Sequence, residues 1–254
     1  MPDWLQGRHA LITGGGTGIG AACATHLHAA GAKVSLLGRR MEPLQQVAGR
    51  VEGTAIQCDV ADRAQIDRAF DEARAANGSI EMLIVNAGIA ESAPFHKMTR
   101  ESWDRIMAVN LTGAFDCAQA AIGDLLKSEH GRIVFIASVA SLRGVPYAAH
   151  YAASKHGLLG LSRSLASEYA KTKLTVNAVC PGYVDTPMTD QSVARVSQFT
   201  GRGEEFARDA ITNMNASGRL VEPDGIGTMV MTLCLPQSGD ISGAAITIDG
   251  ATSA

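Results

Sequence analysis

Residues 9–20 read HALITGGGTGIG, and the fold turns on how they are read. His9 to Thr13 is a short apolar run suited to a buried strand. Gly14, Gly15, Gly16, Gly18 and Gly20, with Thr17 and Ile19 between them, then break it. Glycine takes positive φ at no steric cost and lets backbone N–H groups approach a ligand. Behind the cluster Ala21, Ala24, Leu27 and Ala30 follow a helical pattern, and Gly31 closes it. Strand, glycine turn and helix in that order set a positive helix end behind free N–H groups, a seat for an anion such as pyrophosphate. The glycines at 14, 18 and 20 have GxxxGxG spacing, and Gly16-x-Gly18-x-x-Ala21 is a variant of the dinucleotide fingerprint. A tight turn with no ligand is the competing reading.

The alternation continues outward from this unit. Strands are expected at 33–37, 54–58, 82–85, 133–137, 174–179 and 245–248. Helices are expected at 42–51, 63–76, 103–126, about 150–170 and 223–235. The segment 183–219 is polar and less regular, and is expected to act as a substrate lid. Several strands are continuous Val/Ile/Leu runs, the mark of a parallel sheet covered on both faces. The fold class is therefore α/β, doubly wound and Rossmann-like. With no linker, low-complexity tract or repeat, residues 1–254 are expected to form a single domain. In such sheets ligands bind beyond the carboxyl ends of the strands. Arg39, Asp59, Asn86, Ser138 and Pro181 all fall there.

Composition narrows the function. Hydrophobic residues make up 46% and charged residues 19%, enough apolar matter for a large core. The net charge of −3 and the lack of a basic tract argue against nucleic acid. No apolar run is long enough to span a membrane, and the N-terminus does not read as a signal peptide. Five cysteines without CxxC spacing suit a reducing cytoplasm. Seven histidines lack metal-ligand spacing, and no serine lies in a GxSxG elbow, so no metal is expected. His150 and His156 are expected to point away from the residues between them.

Chemistry concentrates at 138–155, SVASLRGVPYAAHYAASK. Tyr151 and Lys155 are four apart, hence on one face of a helix. The ammonium is expected to lower the phenol pKa, giving a proton donor and acceptor near neutrality. Ser138, at a strand end, could reach that phenol. A Tyr and Lys on an ordinary amphipathic helix is the plain alternative. About 20 residues past the central glycine, dinucleotide sites that take NAD place an acidic residue on the ribose. This chain has Gly38-Arg39-Arg40 instead. Guanidinium suits a 2′-phosphate, so NADP(H) is expected over NAD(H), with Arg39 the main anchor and Arg40 beside it. Two solvated arginines at a helix start are the alternative.

Together the motifs resemble the short-chain dehydrogenase/reductase family. They are TGGGTGIG at 13–20, CDV at 58–60, NAG at 86–88, AVNLTG around Asn110, Ser138, YAASK at 151–155 and VNAVCPGYVDTP at 176–187. They span nearly the whole chain in the family's order. The resemblance implies a seven-stranded parallel sheet of order 3-2-1-4-5-6-7 and a catalytic set of Asn110, Ser138, Tyr151 and Lys155. It implies that Lys155 also holds the nicotinamide ribose and that Asn110 positions a water. Asp59 and Val60 would border the adenine, although Asp59 also reads as a turn cap. Asn86, Ala87 and Gly88 would pass the ribose. Pro181, Gly182, Val184 and Thr186 would hold the carboxamide, and Gly14, Thr17, Gly18, Ile19 and Gly20 the phosphates.

The implied reaction interconverts a ketone and a secondary alcohol. Met188, Val193, Val196, Phe199, Phe206, Ile211 and Met214 in the lid suit a hydrophobic carbonyl substrate. Arg195, Arg202 and Arg208 suit either solvent or the phosphate of a CoA- or carrier-protein-linked thioester. Tyr147 and Tyr183 are candidates to line the pocket. The region resembles 3-oxoacyl and polyketide ketoreductases, and 3-hydroxybutyrate dehydrogenases as well. The family's usual homotetramer, built on the helices at 103–126 and 150–170, is expected here. A non-catalytic dinucleotide sensor is the reading from another class.

Overall fold

The computed structural model describes residues 4–254. Its sheet has seven parallel strands: β1 (His9–Thr13), β2 (Lys33–Gly38), β3 (Thr54–Gln57), β4 (Met82–Val85), β5 (Arg132–Ile136), β6 (Thr175–Pro181) and β7 (Ala245–Ile248). Their order is β3-β2-β1-β4-β5-β6-β7, as the resemblance implied. The strands pair in parallel with Leu11 opposite Ser35 and Leu83, and Val134 opposite Ile84 and Asn177. The chain reverses sheet direction between β3 and β4, and the crevice beside β1 and β4 is the topological switch point.

Alternate side chains on each strand feed opposite layers. Leu11, Leu37, Ile56, Leu83, Phe135 and Val176 join one core with α3 (Arg63–Asn77), α5 (Gly113–Leu125) and α6 (Ala149–Glu168). Ala10, Ile12, Leu36, Ile84, Val134 and Val179 join the other with α1 (Gly18–Ala29), α2 (Met41–Arg50) and α9 (Pro223–Cys234). Each such Leu, Ile or Phe contributes about 1.5–3 kcal/mol on burial. Gly31, with φ +94°, ends α1 as the sequence suggested.

Two expected elements differ. The long helix at 103–126 is α4 (Arg100–Met107), a π-helical turn at Ala108–Thr112, then α5. A Cβ on Gly113 would sit 2.3 Å from the Val60 carbonyl, so the helix runs against backbone where its register shifts. The segment 183–219 is not irregular. It forms α7 (Pro187–Thr200) and α8 (Gly203–Thr212), which share a small core of Val193, Ala207 and Ile211. Pro187 starts α7 and Gly201, φ +68°, ends it, which are helix-terminal uses of residues that otherwise read as loop.

Polar groups buried at the amino end of the sheet are mostly answered by neighbours, Arg132 Nε and Thr175 Oγ1 being left without a partner. Arg132 opens β5, is 1% exposed and has no carboxylate partner among the described residues. It donates to the carbonyls of Gly131, Lys173, Leu235 and Pro236, so the negative end of α9 serves as its counter-charge. His9 Nδ1 lies 2.8 Å from the Gly78 carbonyl and Nε2 2.8 Å from Ser35 Oγ, which also accepts from Asn77. The carbonyl requires the proton on Nδ1, so Nε2 accepts the Ser35 hydroxyl and the ring is neutral.

Burial holds the His9 imidazole below its usual range. The unfolded chain therefore binds a proton near pH 6.5 that the folded chain refuses. Stability from this group is full above about pH 6.5 and is lost as pH falls toward the lowered folded value. Urea midpoints measured from pH 8 to pH 5 should fall more in the native chain than in His9→Asn. Equal slopes would contradict the neutral-ring network.

Candidate active site

Four strand ends build the crevice. The glycine turn after β1 passes closely under the end of β4. Gly14 and Gly18 take φ of +66° and +53°, and a Cβ on Gly20 would fall 2.2 Å from the Gly14 carbonyl. The Asn86 amide donates to the Thr13 and Gly14 carbonyls, both at 3.0 Å. Thr13 Oγ1 in turn accepts from the N–H groups of Asn86 and Ala87. Thr17, the residue before α1, is exposed, and its side chain caps no backbone N–H. The first turn of α1 carries no acid. This is a backbone cradle with an uncompensated positive helix end, and it fits a pyrophosphate. Ile19 is half-buried on the same turn.

The other predicted cofactor residues border this cradle. Gly18 meets Thr186 across the crevice: a Cβ there would lie 2.9 Å from Thr186 Cγ2. Thr186 starts α7, and Val184 bridges to Val221. Pro181 ends β6, and the Gly182 N–H donates to the Ile248 carbonyl. Arg39 and Arg40 stand exposed at the end of β2, with no ion pair among the described residues. Asp59 Oδ1 accepts from Ala61 N, so this carboxylate does cap its own turn. Val60 beside it is buried.

The proton-handling residues lie between β5 and α6. Ser138 follows β5 and its hydroxyl accepts from Ala140 N at 3.1 Å. Its hydroxyl also lies close enough to the Tyr151 phenol to favour the phenolate. That effect is outweighed: burial pushes the Tyr151 phenol above its usual value, contrary to expectation. The reason lies with Lys155. Its Nζ is 5.8 Å from the Tyr151 ring centroid and donates to the Ile136 carbonyl at 2.9 Å. Lys155 is 5% exposed, and burial pulls it down to about 8. Both ionisations are thus disfavoured by the same dry surroundings.

Asn110 lies in the π turn and is 1% exposed. Its amide brackets Ile89, accepting from the N–H at 2.8 Å and donating to the carbonyl at 2.9 Å. It also donates to Ser154 Oγ, which donates to the Tyr151 carbonyl. The Asn110 side chain thereby fixes the loop after β4 to α6. Gly88 fits beside it, since a Cβ there would lie 3.4 Å from Asn110 Oδ1 and 3.7 Å from Lys155 Nζ.

The expectation that His150 points away from the Tyr–Lys pair is corrected. His150 is buried, and its Nδ1 accepts from the Tyr151 N–H at 3.0 Å. Ala148, the N-cap of α6, has no side chain able to do this. A histidine preceding the Tyr–Lys pair, with no Ser, Thr, Asp or Asn at the cap, was the available signal. Tyr183 lies close enough to raise the Tyr151 pKa, and Arg143 faces Tyr183. Among the described residues there is no cluster suited to a metal, and all five cysteines are free and buried. No helix among them is long and apolar enough to cross a membrane.

Comparison with known proteins agrees with this geometry. The family described as short chain dehydrogenase matches residues 8–197. A 3-oxoacyl-[acyl-carrier-protein] reductase, MabA, from Mycobacterium tuberculosis is 37% identical, covering 96% of this chain and 92% of that protein. A 2-(S)-hydroxypropyl-CoM dehydrogenase from Xanthobacter autotrophicus is 36% identical over the full length of both. The crystal structure of a single-residue variant of actinorhodin polyketide ketoreductase with NADPH superposes with a TM-score of 0.93 at 32% identity, covering 99% of each chain. The chain belongs to the short-chain dehydrogenase/reductase family of NAD(P)-dependent oxidoreductases.

Proposed function

We propose that this protein is an NADP(H)-dependent ketoreductase acting on a hydrophobic ketone or 3-oxoacyl group. One observation carries the reading: a phenol, a hydroxyl and a buried ammonium gather at the end of β5, beside a glycine cradle made for pyrophosphate. The relatives named for 3-oxoacyl reduction and the ketoreductase solved with NADPH support the same class. A sensor would need the cradle but not the proton-handling set.

The nicotinamide, when bound, supplies hydride transfer to the carbonyl carbon. The chain's own task is to orient the carbonyl and manage one proton. The Ser138 hydroxyl, already accepting from Ala140 N, can donate to the carbonyl oxygen. The Tyr151 phenol donates the proton to that oxygen. With its pKa raised by burial the phenol is protonated at neutral pH and holds the proton that reduction consumes. Lys155 has one protein partner, so its other two N–H groups remain for the nicotinamide ribose hydroxyls and the phenol oxygen. Asn110 and His150 hold Tyr151 through its backbone. Asn86, Ala87 and Gly88 pass the ribose. Asp59 and Val60 border the adenine. Pro181, Gly182, Val184 and Thr186 hold the carboxamide.

The α7–α8 pair covers the site as a lid, with Met188, Phe199 and Met214 exposed on it. Of the three arginines suited to a carrier phosphate, Arg208 pairs with Asp190 and Arg202 stacks on Phe206. Arg195 remains near Glu91. The apolar part of the substrate therefore dominates the reading over its carrier. Phe115 on α5 and Leu126 just beyond it stay exposed, which suits burial of this face in a homotetramer.

Three measurements test this reading. Tyr151→Phe should lose at least about 10²-fold in kcat for ketone reduction while retaining NADPH binding by fluorescence. Near-native turnover would end the mechanism. Arg39→Ala should raise KM for NADPH about tenfold or more and leave that for NADH nearly unchanged. A native chain that prefers NADH would refute the anchor. Sedimentation should give a tetrameric mass, and a monomer would refute the assembly.

A further inference from the structure

Among the described residues only three other than glycine take positive φ: Glu52, Tyr147 and Ala251. Tyr147, at +63°, is the bulky one. In that region an L side chain crowds its own backbone and glycine does not. The loop has glycine to hand at Gly144, yet carries an aromatic residue at the strained position. Folding does not account for it. The Tyr147 side chain is 67% exposed, belongs to neither core and makes no hydrogen bond among the described residues. Strain kept without a packing return is a feature of binding sites.

The position of Tyr147 says what it faces. It lies on the connection from Ser138 to Tyr151, four residues before the phenol. Its carbonyl accepts from Ala93 N at 2.8 Å, which straps this loop to the one after β4. Two residues beyond Ala93 is Phe95, 77% exposed. Leu142 on the Tyr147 loop is exposed as well, and the charge of Arg143 beside it is near enough to act on the Tyr183 phenol. Two exposed aromatic side chains thus stand on loops that follow β4 and β5 and are joined by one backbone hydrogen bond. Aromatic faces and edges favour a flat π-system over a flexible chain.

We infer that Tyr147, with Phe95, forms an aromatic clamp that selects carbonyl substrates bearing an aromatic ring beyond the reacting carbon. The inference rests on the ketoreductase reading above and specifies its substrate class. It makes Tyr147 a specificity-determining residue and gives it no part in proton transfer.

The test compares 4-phenyl-2-butanone with 2-butanone, using NADPH, in the native chain and in Tyr147→Gly and Tyr147→Phe. Glycine removes the ring and the strain together, so Tyr147→Gly should keep or raise Tm. Its kcat/KM for the aryl ketone relative to 2-butanone should fall about tenfold, while Tyr147→Phe should stay within about twofold of native. Saturation-transfer NMR should show the phenyl ring contacting the native chain and the contact weakening in Tyr147→Gly. An unchanged selectivity ratio, or a marked loss of Tm in Tyr147→Gly, would overturn the clamp and leave the ketoreductase reading intact. A native chain that turns over neither ketone nor any 3-oxoacyl thioester would remove that reading, and the clamp with it.

Discussion

The site depends on backbone meeting backbone where β1 and β4 end. Gly20 passes so near the Gly14 carbonyl that no Cβ fits between them, and the Asn86 amide closes the contact from the β4 side. A side chain at residue 20 would push α1 away from the turn and move its N–H groups off the anion they are to bind. Asn86 does the complementary work. It donates to the Thr13 and Gly14 carbonyls at the end of β1, which would be costly to bury unpaired. The phosphate cradle and the start of the substrate loop are therefore one hydrogen-bonded unit.

From that unit the coupling runs on to the chemistry. The loop after β4 continues through Gly88 and Ile89 to Asn110, then Ser154, then the Tyr151 carbonyl. Each link is a side-chain amide or hydroxyl meeting backbone or its neighbour in the chain of bonds, so the phenol is positioned by the same strand end that positions the cradle. The electrostatics follow from this enclosure. Burial disfavours the charged form of each group, raising the phenol and lowering the ammonium. A phenol held protonated is ready to donate.

Much of this was legible in the sequence, for identifiable reasons. Strand bounds came within a residue or two because buried parallel strands are unbroken Val/Ile/Leu runs. The glycine turn was legible because only glycine serves there. The π turn was not, since AVNLTG fits an α-helix locally and the backbone that Gly113 packs against, at Val60, is distant in sequence. The helices at 187–200 and 203–212 were hidden by polar faces, their shared apolar core being only a few residues wide. The Tyr151 pKa was misjudged because spacing gives proximity to Lys155 but not the water content around the pair. His150 was expected to point away because its contact is with the next residue's backbone, a pairing that no side-chain periodicity reveals.

Two buried cations stand at opposite ends of strand β5, and the contrast between them separates structure from function. At the amino end the Arg132 guanidinium meets four carbonyls, two of them at the end of α9. Little of its donor capacity is left over, and the helix dipole balances the charge. At the carboxyl end Lys155, reaching in from α6, meets one carbonyl and no carboxylate among the described residues. A lone buried ammonium with two donors to spare is unfavourable for stability taken alone. Burial lowers its pKa to about 8, so at neutral pH it remains mostly charged despite that cost. The arginine finds partners within the fold for both terminal nitrogens, and only its Nε is left without one. The lysine is held where the fold leaves it unsatisfied, next to the phenol and opposite the pyrophosphate cradle, and only a bound molecule can complete its partners.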